Sequence, residues 1–541
     1  MRNSFLLWIF VLLFAVLMSI PWLVPHTGVL ALVGFIPLLL ADDFANQLRV
    51  KHFWWFYYTA FVLWNAFTTF WVCNATIGGG IFAVLANALQ MAVIWALFRL
   101  SRKRMGGVVP YLFLAAMWIA WERFYFSADI SWPWLVLGNA FAGSTHLVQW
   151  YSATGTLGGS LWIWAANLGL YGILVALADG HVFRWNGWAK CSAFMGILLA
   201  IAGPIVLSEV MYHHYVPVSE GKIDVLIAQP NFDPYHKFES MTQAQQDSVL
   251  IGQFDAALSG NTASEVLLLA PETFTSNVFL DRIPESTTMQ DLRPLLEAHP
   301  NADILFGAST YRYHDTHAAP GLLCYPYGEG WLTSYNSAIL TDASQECDVY
   351  HKSRLVVGTE KTPYPKLFVP LDNFLCKLFK MRGPLIARCI GQDSPSLLNF
   401  RDSVPIGCAV CYESVYPEYC TGYVREGAQA MTVITNDAWW GDTPGYRQHM
   451  SYSRLRAIEL RRDIARCGNT GISCFIDQKG DVLQQGPWWK ECTLEGVLNL
   501  NSGKSFFVEH GDIVGRACTL AFLLMLALLL VRLVLPKSAS R

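Results

Sequence analysis

The sequence predicts a multi-span α-helical membrane domain of about eight transmembrane helices, joined to an α/β layered domain in water. Three observations lead there. The 541-residue chain is 53% hydrophobic and only 15% charged, outside the range of an ordinary soluble protein. Its basic residues are unevenly spread, with only ten Lys or Arg in residues 1–212. Residues 213–514 instead alternate short apolar runs with helical patterns, as a water-soluble domain does. The formal net charge of −3 carries no overall basic signal for nucleic acid, and none is expected as a partner.

The candidate spans lie near 5–23, 27–41, 54–74, 80–100, 109–126, 158–180, 192–212 and 516–535, each close to the roughly 20 residues a bilayer requires. Only Pro25-His26 separates the first two, which predicts a tight helical hairpin. The first helix is not expected to be a cleaved secretion signal, because its apolar core is too long and no small-x-small site follows. Residues 133–151 are apolar but broken by Gly138 and Gly143, and read as a re-entrant or interfacial piece.

Orientation follows from the basic residues. Arg2; Arg49 and Lys51; Arg99, Arg102, Lys103 and Arg104; Arg184 and Lys190; and Arg532, Lys537 and Arg541 fall on alternate loops or tails. The opposite short loops hold little more than Arg123. The positive-inside rule then expects cytoplasmic termini and an outward-facing 213–514, which in a bacterium is the periplasmic face of the inner membrane. The expected division is a seven-span membrane domain at 1–212, an outer domain at 213–514, and an eighth span with a cytoplasmic tail at 515–541.

Within the outer domain, apolar runs at 223–228, 265–270, 303–308, 336–340, 405–410, 431–435 and 472–476 read as strands. Most are continuous rather than alternating, the pattern of strands covered on both faces. Helical patterns lie at 241–258 and along the charged stretch 447–466. Ser502-Gly503-Lys504-Ser505 looks like the end of a phosphate loop, but the upstream glycine position is Leu498, so no such loop is expected.

Three residues with chemical potential stand where apolar runs end. They are Glu272 after Leu267-Leu268-Leu269-Ala270-Pro271, Lys352 after Tyr350-His351, and Cys411 after Ile406-Gly407-Cys408-Ala409-Val410. Singly, each has a bland reading: a solvated loop carboxylate, a surface ammonium, a packing sulfur. As a set they supply acyl-transfer chemistry. A free thiol has a pKa near 8.5, so a carboxylate that takes its proton during attack is useful at neutral pH. A lysine beside the reacting carbonyl, with the Tyr412 N–H after the nucleophile, stabilises the oxyanion.

Further stretches accompany them: Tyr412-Glu413, Asn436-Asp437-Ala438-Trp439-Trp440-Gly441, Arg454-Leu455-Arg456-Ala457-Ile458-Glu459 and Ala465-Arg466-Cys467-Gly468-Asn469-Thr470-Gly471. This combination resembles the nitrilase, or carbon-nitrogen hydrolase, superfamily. With membrane spans on both sides, it resembles that superfamily's membrane-bound branch, the apolipoprotein N-acyltransferases. The resemblance runs along almost the whole chain and implies an αββα sandwich for the outer domain. It implies Glu272 as base, Lys352 as oxyanion lysine and Cys411 as nucleophile. Glu360 matches a second glutamate near the lysine, and Tyr412 and Glu413 match the pair after the nucleophile. Two features depart from the family pattern. No Pro or Phe occurs in Leu355-Val356-Val357-Gly358-Thr359, and a tryptophan is missing from Gln229-Pro230-Asn231-Phe232-Asp233-Pro234-Tyr235.

Ten of the thirteen cysteines lie in the outer domain. A nucleophilic Cys411 has to stay a thiol, which leaves an odd number and at least one more unpaired. Cys408-x-x-Cys411 lacks the second CxxC or His pair of a zinc site, and residues three apart on a strand face opposite ways, so Cys408 is expected in the core. Between Lys352 and Cys411, Leu371, Phe374, Leu375, Leu378 and Phe379 recur at helical spacing beside Lys377 and Lys380. Residues 366–381 are therefore either a core helix or a membrane-surface lid.

The resemblance implies ping-pong acyl transfer. An acyl chain passes from a membrane phospholipid through a Cys411 thioester to the α-amine of diacylglyceryl-cysteine in an apolipoprotein, completing lipoprotein maturation. No metal or dissociable cofactor is expected, and a monomer is. Two other readings stay open: a membrane-anchored nitrilase-type amidase, in which water resolves the thioester, and a non-catalytic lipid-binding protein of the same fold.

Overall fold

A computed structural model describes residues 2–184, 186–381 and 383–534 of the chain. Lys537 and Arg541, expected in the cytoplasmic tail, lie outside the described residues. The chain forms two compact units, one of residues 1–128, 132–215 and 510–541, the other of residues 129–131 and 216–509.

The first unit is helical. Six helices among the described residues are long and apolar enough to cross a bilayer: Ser4–Leu23, Gly28–Gln47, Ile77–Arg104, Thr156–Ala178, Gly187–His214 and Ile513–Val534. The other two expected spans form shorter helices, Trp54–Thr69 of 16 residues and Val109–Tyr125 of 17. At about 1.5 Å per residue these fall short of a hydrocarbon core of about 30 Å.

Residues 133–147, within the segment read as re-entrant, form three 3₁₀ turns, Pro133–Leu135, Leu137–Phe141 and Thr145–Leu147. Their backbone groups are met inside the unit. Leu137 N–H donates to Glu122 at 2.8 Å, Gly138 N–H to Ser160 at 3.1 Å, and Tyr151 O–H donates to the Gly138 carbonyl at 2.9 Å. Irregular backbone can be buried where neighbouring protein groups meet its N–H and C=O in this way. A Cβ at Gly138 would lie 1.9 Å from the Thr156 carbonyl oxygen, so only glycine fits that approach.

Among the described residues the second unit is built on fourteen strands. In chain order they are β1 (Lys222–Gln229), β2 (Val266–Leu269), β3 (Thr275–Phe279), β4 (Ala302–His314), β5 (Tyr325–Tyr327), β6 (Gly330–Thr341), β7 (Cys347–His351), β8 (Leu398–Phe400), β9 (Val404–Val410), β10 (Ala430–Thr435), β11 (Ile464–Gly468), β12 (Cys474–Ile476), β13 (Val482–Gln485) and β14 (Cys492–Asn499). One sheet has the order β14-β1-β2-β4-β6-β5, with β3 on β4 and β7 on β6; the other runs β13-β12-β11-β10-β9-β8. Each has a parallel centre, β1-β2-β4 and β9-β10-β11, and antiparallel margins.

The continuous apolar runs are explained by cover on both faces. Leu226, Leu268, Ile304 and Phe306 pack under helices Gln243–Leu258 and Thr287–Ala298, through Leu250, Phe254, Leu292 and Leu296. On the opposite side the Cys467 thiol on β11 donates to the carbonyls of Ala228 and Leu269, at 3.2 and 3.5 Å, so the two sheets stack face to face. On the second sheet Gly407 admits helix Pro417–Glu426: a Cβ there would stand 2.9 Å from Tyr423 Cβ. The layering is αββα.

One expected element changes character. The helix read at 447–466 is Pro444–Leu460, ended by Arg461 in the left-handed region at φ 51°. Ile464–Gly468 leaves the helix to become β11, paired in parallel with β10. Strand pairing inside the sandwich overrides the local helical period, because a fully buried segment next to β10 has to satisfy its backbone in a ladder. Helix Pro365–Leu378 forms as its spacing predicts, yet it buries only Val369 and Asp372. Leu367, Leu371, Phe374, Leu378 and Phe379 are 46–66% exposed, which removes the core-helix reading.

Candidate active site

Strand ends from both sheets bring the sequence-derived residues together. Glu272 follows β2 and Pro271, and Gly307 on the neighbouring β4 makes room for it: a Cβ at Gly307 would lie 2.5 Å from Glu272 Cα. Lys352 directly follows β7, its N–H donating to the Asn336 carbonyl on β6 at 2.8 Å. Cys411 directly follows β9 with φ 53°, left-handed backbone that costs a non-glycine residue about 1–3 kcal/mol.

Lys352, Glu272 and Glu360 form one cluster. The Lys352 ammonium donates to Glu272 Oε1 and to Glu360 Oε1, each at 2.9 Å. Asn336 Nδ2 donates to the same two oxygens at 2.8 and 2.7 Å. Glu272 Oε2 accepts the Asn436 N–H at 3.2 Å, and Glu360 Oε2 the Val356 N–H at 2.7 Å. Glu272, Lys352 and Cys411 are all buried. Burial disfavours the Lys352 charge, but Glu272, Glu360 and the Cys411 sulfur together outweigh it and hold its pKa well above the usual lysine value. Burial, joined by the Glu272 charge, pushes the Cys411 thiol well up, with Lys352 and Thr435 opposing. Burial and the Glu272 charge thus favour the thiol over the thiolate at this sulfur.

Glu413 and Tyr412 divide into different tasks. The buried Glu413 carboxylate is a junction: Oε1 accepts from Tyr350 O–H at 2.6 Å, Ser353 N–H at 2.7 Å and Arg354 N–H at 3.2 Å, and Oε2 accepts Val410 N–H at 2.8 Å. It ties the loop carrying Lys352 to the end of β9. Burial raises its pKa, with Tyr350 and the backbone donors opposing. Tyr412 O–H donates to the Ser131 carbonyl at 3.1 Å, while its N–H heads the turn after Cys411. Cys408 is fully buried, its thiol pushed up to about 12 by burial, as a core sulfur.

Two neighbours of the site went unassigned in the sequence. Asn336 bridges both glutamates; its only advance signal is a polar pair, Asn336-Ser337, at the head of an otherwise apolar run. The second is a buried group under Cys411 made of Asp437, His449 and Arg466. His449 Nδ1 lies 2.9 Å from Asp437 Oδ1, and Arg466 donates to Asp437 Oδ2 at 2.7 Å. The Asp437 carboxyl is held below its usual pKa: burial opposes this, but the His449 and Arg466 charges prevail. The Cys411 sulfur, an Asp437 oxygen and a His449 nitrogen lie within 4.8 Å of one another, a set of metal-ligand type. Arg466, His449 and Thr435 already engage Asp437, and the guanidinium repels a cation there, so the residues do not fit a metal. All thirteen cysteines are free thiols.

The chain matches two family models: Carbon-nitrogen hydrolase over residues 266–506, and Apolipoprotein N-acyltransferase N-terminal domain over residues 14–169. It is 30% identical to the apolipoprotein N-acyltransferase of Chlorobaculum tepidum, across 92% of this chain and 91% of that one. It is 26% identical to the protein of the same name from Geobacter metallireducens, across 93% and 91%. Among solved structures, Nit3 of Saccharomyces cerevisiae, a nitrilase-superfamily member, is similar at 15% identity and a TM-score of 0.37, over 55% of this chain and 97% of that one.

Proposed function

We propose a reaction that proceeds from one premise: this chain belongs to the apolipoprotein N-acyltransferase family. It is a membrane enzyme that moves an acyl chain from a membrane phospholipid to the N-terminal amine of a diacylated apolipoprotein. The observation that carries the residue assignment is the Lys352 ammonium, 2.9 Å from Glu272 and inside the field that acts on the Cys411 thiol.

Cys411 attacks an ester carbonyl of the phospholipid while Glu272 takes the thiol proton. The new S–C bond places negative charge on the carbonyl oxygen, which the Lys352 ammonium and the Tyr412 N–H stabilise. Collapse breaks the ester C–O bond, Glu272 returns the proton to the leaving alkoxide, and a lysophospholipid departs from the thioester. The α-amine of diacylglyceryl-cysteine then attacks. An α-amine has a pKa of about 7.7–8.0, so a useful neutral fraction is present. Glu272 takes the amine proton and delivers it to the Cys411 thiolate as the amide forms. Asn336 and Glu360 hold Lys352 and Glu272 in register; Glu413 holds the loops that carry them.

The catalytic unit faces the periplasm and both termini the cytoplasm, a reading supported by the alternation of basic residues. The chain acts as a monomer. The exposed apolar side of Pro365–Leu378 fits a lid lying against the bilayer surface from which the donor comes.

Purified protein incubated with phospholipid and a diacylated lipopeptide tests the reaction, with both products weighed by mass spectrometry. A lipopeptide heavier by one acyl group, matched by lysophospholipid, is expected. Free fatty acid with unmodified lipopeptide would make the protein a hydrolase; no change in either substrate would leave a lipid-binding protein.

A further inference from the structure

The peptide between Cys411 and Tyr412 is gripped at its carbonyl. The Cys411 carbonyl oxygen accepts from Ser414 O–H at 2.8 Å and lies 3.1 Å from His449 Nε2. Ser414 Oγ is itself 3.1 Å from that nitrogen. The Ser414 proton is directed at the carbonyl, so both neighbours of Nε2 are acceptors and Nε2 carries a hydrogen. The far side of the ring is fixed too: Nδ1 lies 2.9 Å from Asp437 Oδ1 and 3.2 Å from Arg466 Nη2. Asp437 is in turn held by Thr435 O–H at 2.7 Å and by Arg466. His449, Asp437 and Arg466 are wholly buried, so the set is shielded from bulk solvent.

A trans peptide is planar, with its C=O and N–H pointing in opposite directions. Fixing the Cys411 carbonyl therefore fixes the direction of the Tyr412 N–H. Hydrogen bonds accepted by that carbonyl also polarise the peptide and strengthen its N–H as a donor. The Cys411 backbone, left-handed and costly for a non-glycine residue, needs such an anchor to persist.

We propose that His449, anchored by Asp437 and Arg466, is a positioning residue that aims the Tyr412 N–H at the developing oxyanion. The inference rests on the assignment of Cys411 as nucleophile. It assigns no proton transfer to the imidazole; because the Cys411 sulfur lies within 4.8 Å of His449 and Asp437, its intrinsic reactivity is read separately, by alkylation.

That separation supplies the test. Alkylation of Cys411 by iodoacetamide forms no oxyanion, whereas thioester formation from phospholipid does. In the full-length protein, His449→Ala is expected to slow thioester formation about 10–100-fold, the effect of misplacing a reacting group by a fraction of an ångström to an ångström. Alkylation of Cys411 should stay within about three-fold of the parent, as that step needs no oxyanion donor. Ser414→Ala removes the other donor to the same carbonyl and should lower the acylation-to-alkylation ratio about 3–10-fold, whether or not the His449 variant folds. A ratio unchanged in Ser414→Ala, or in a folded His449→Ala, overturns the proposal, as does a parallel fall of both rates. A parent protein that forms no hydroxylamine-labile acyl adduct on Cys411 overturns the nucleophile assignment itself, and the inference with it.

Discussion

The Lys352 ammonium donates to Glu272 Oε1 at 2.9 Å, joining residues 80 positions apart at the ends of strands that are not neighbours in their sheet. In the proposed reaction that one cation would brace the base and supply the charge an oxyanion needs.

Removing that cation should be felt in the first half-reaction. Lys352→Ala is expected to slow thioester formation by about 10²–10³, the effect of losing one oxyanion donor. The readout is the acyl mass that accumulates on Cys411 with phospholipid alone and is released by hydroxylamine. Acylation at the parent rate would return Lys352 to a purely structural ion pair with Glu272 and Glu360.

The two sulfurs three residues apart should behave oppositely. Cys411→Ala and Cys411→Ser should abolish turnover and leave the protein folded and inserted. Cys408→Ala should keep near-parent activity and lower stability by about 1 kcal/mol, the usual effect of trimming a buried side chain. Activity assays paired with thermal melts distinguish the outcomes; the reverse pattern would mean that the wrong sulfur was chosen.

Glu413 should act mainly on stability. Glu413→Ala leaves the N–H groups of Ser353, Arg354 and Val410 and the Tyr350 hydroxyl without their acceptor. A loss of about 3–5 kcal/mol is expected for emptying such a buried junction. Thermal melting should show it before any assay does. A variant melting with the parent would deny the junction its role.

Acid should loosen the β7 end through His351. Burial, aided by Arg312, lowers its pKa to about 4 from 6.5. Between those values the unfolded chain binds the proton and the folded one does not, so stability rises with pH. The contribution is complete above pH 6.5 and is lost as pH falls toward 4. His351→Asn should flatten that slope in chemical-denaturation midpoints measured from pH 7 to 4; an unchanged slope would assign it to other groups.

Much of this arrangement was legible one residue at a time. Apolar runs ending before Glu272 and Cys411 marked two strand ends, because parallel strands covered on both faces are apolar throughout and their polar exits stand out, whereas β7 before Lys352 is an antiparallel strand that was not among the expected ones. Harder to read was Ile464–Gly468, where Arg466 and the basic neighbours before it imitate a helix face and only pairing with β10 makes a strand. Asn336 and His449 were illegible for another reason. Each works through partners far away in sequence, Glu272 and Glu360 for the first, the Cys411 carbonyl for the second, and no local pattern records a contact of that kind. The short helices Trp54–Thr69 and Val109–Tyr125 show the limit of hydropathy, which finds an apolar stretch but not where its hydrogen bonding stops.

The exposed row of Leu367, Leu371, Phe374 and Leu378 has a practical consequence at the bench. A fragment cut down to the sandwich alone would still carry this greasy strip, and in plain buffer copies would stick to one another through it. Deleting the spans is therefore not enough to make a well-behaved reagent. Mild surfactant, or serine at Leu371 and Phe374, should clear the turbidity while leaving the chemistry of Cys411 intact.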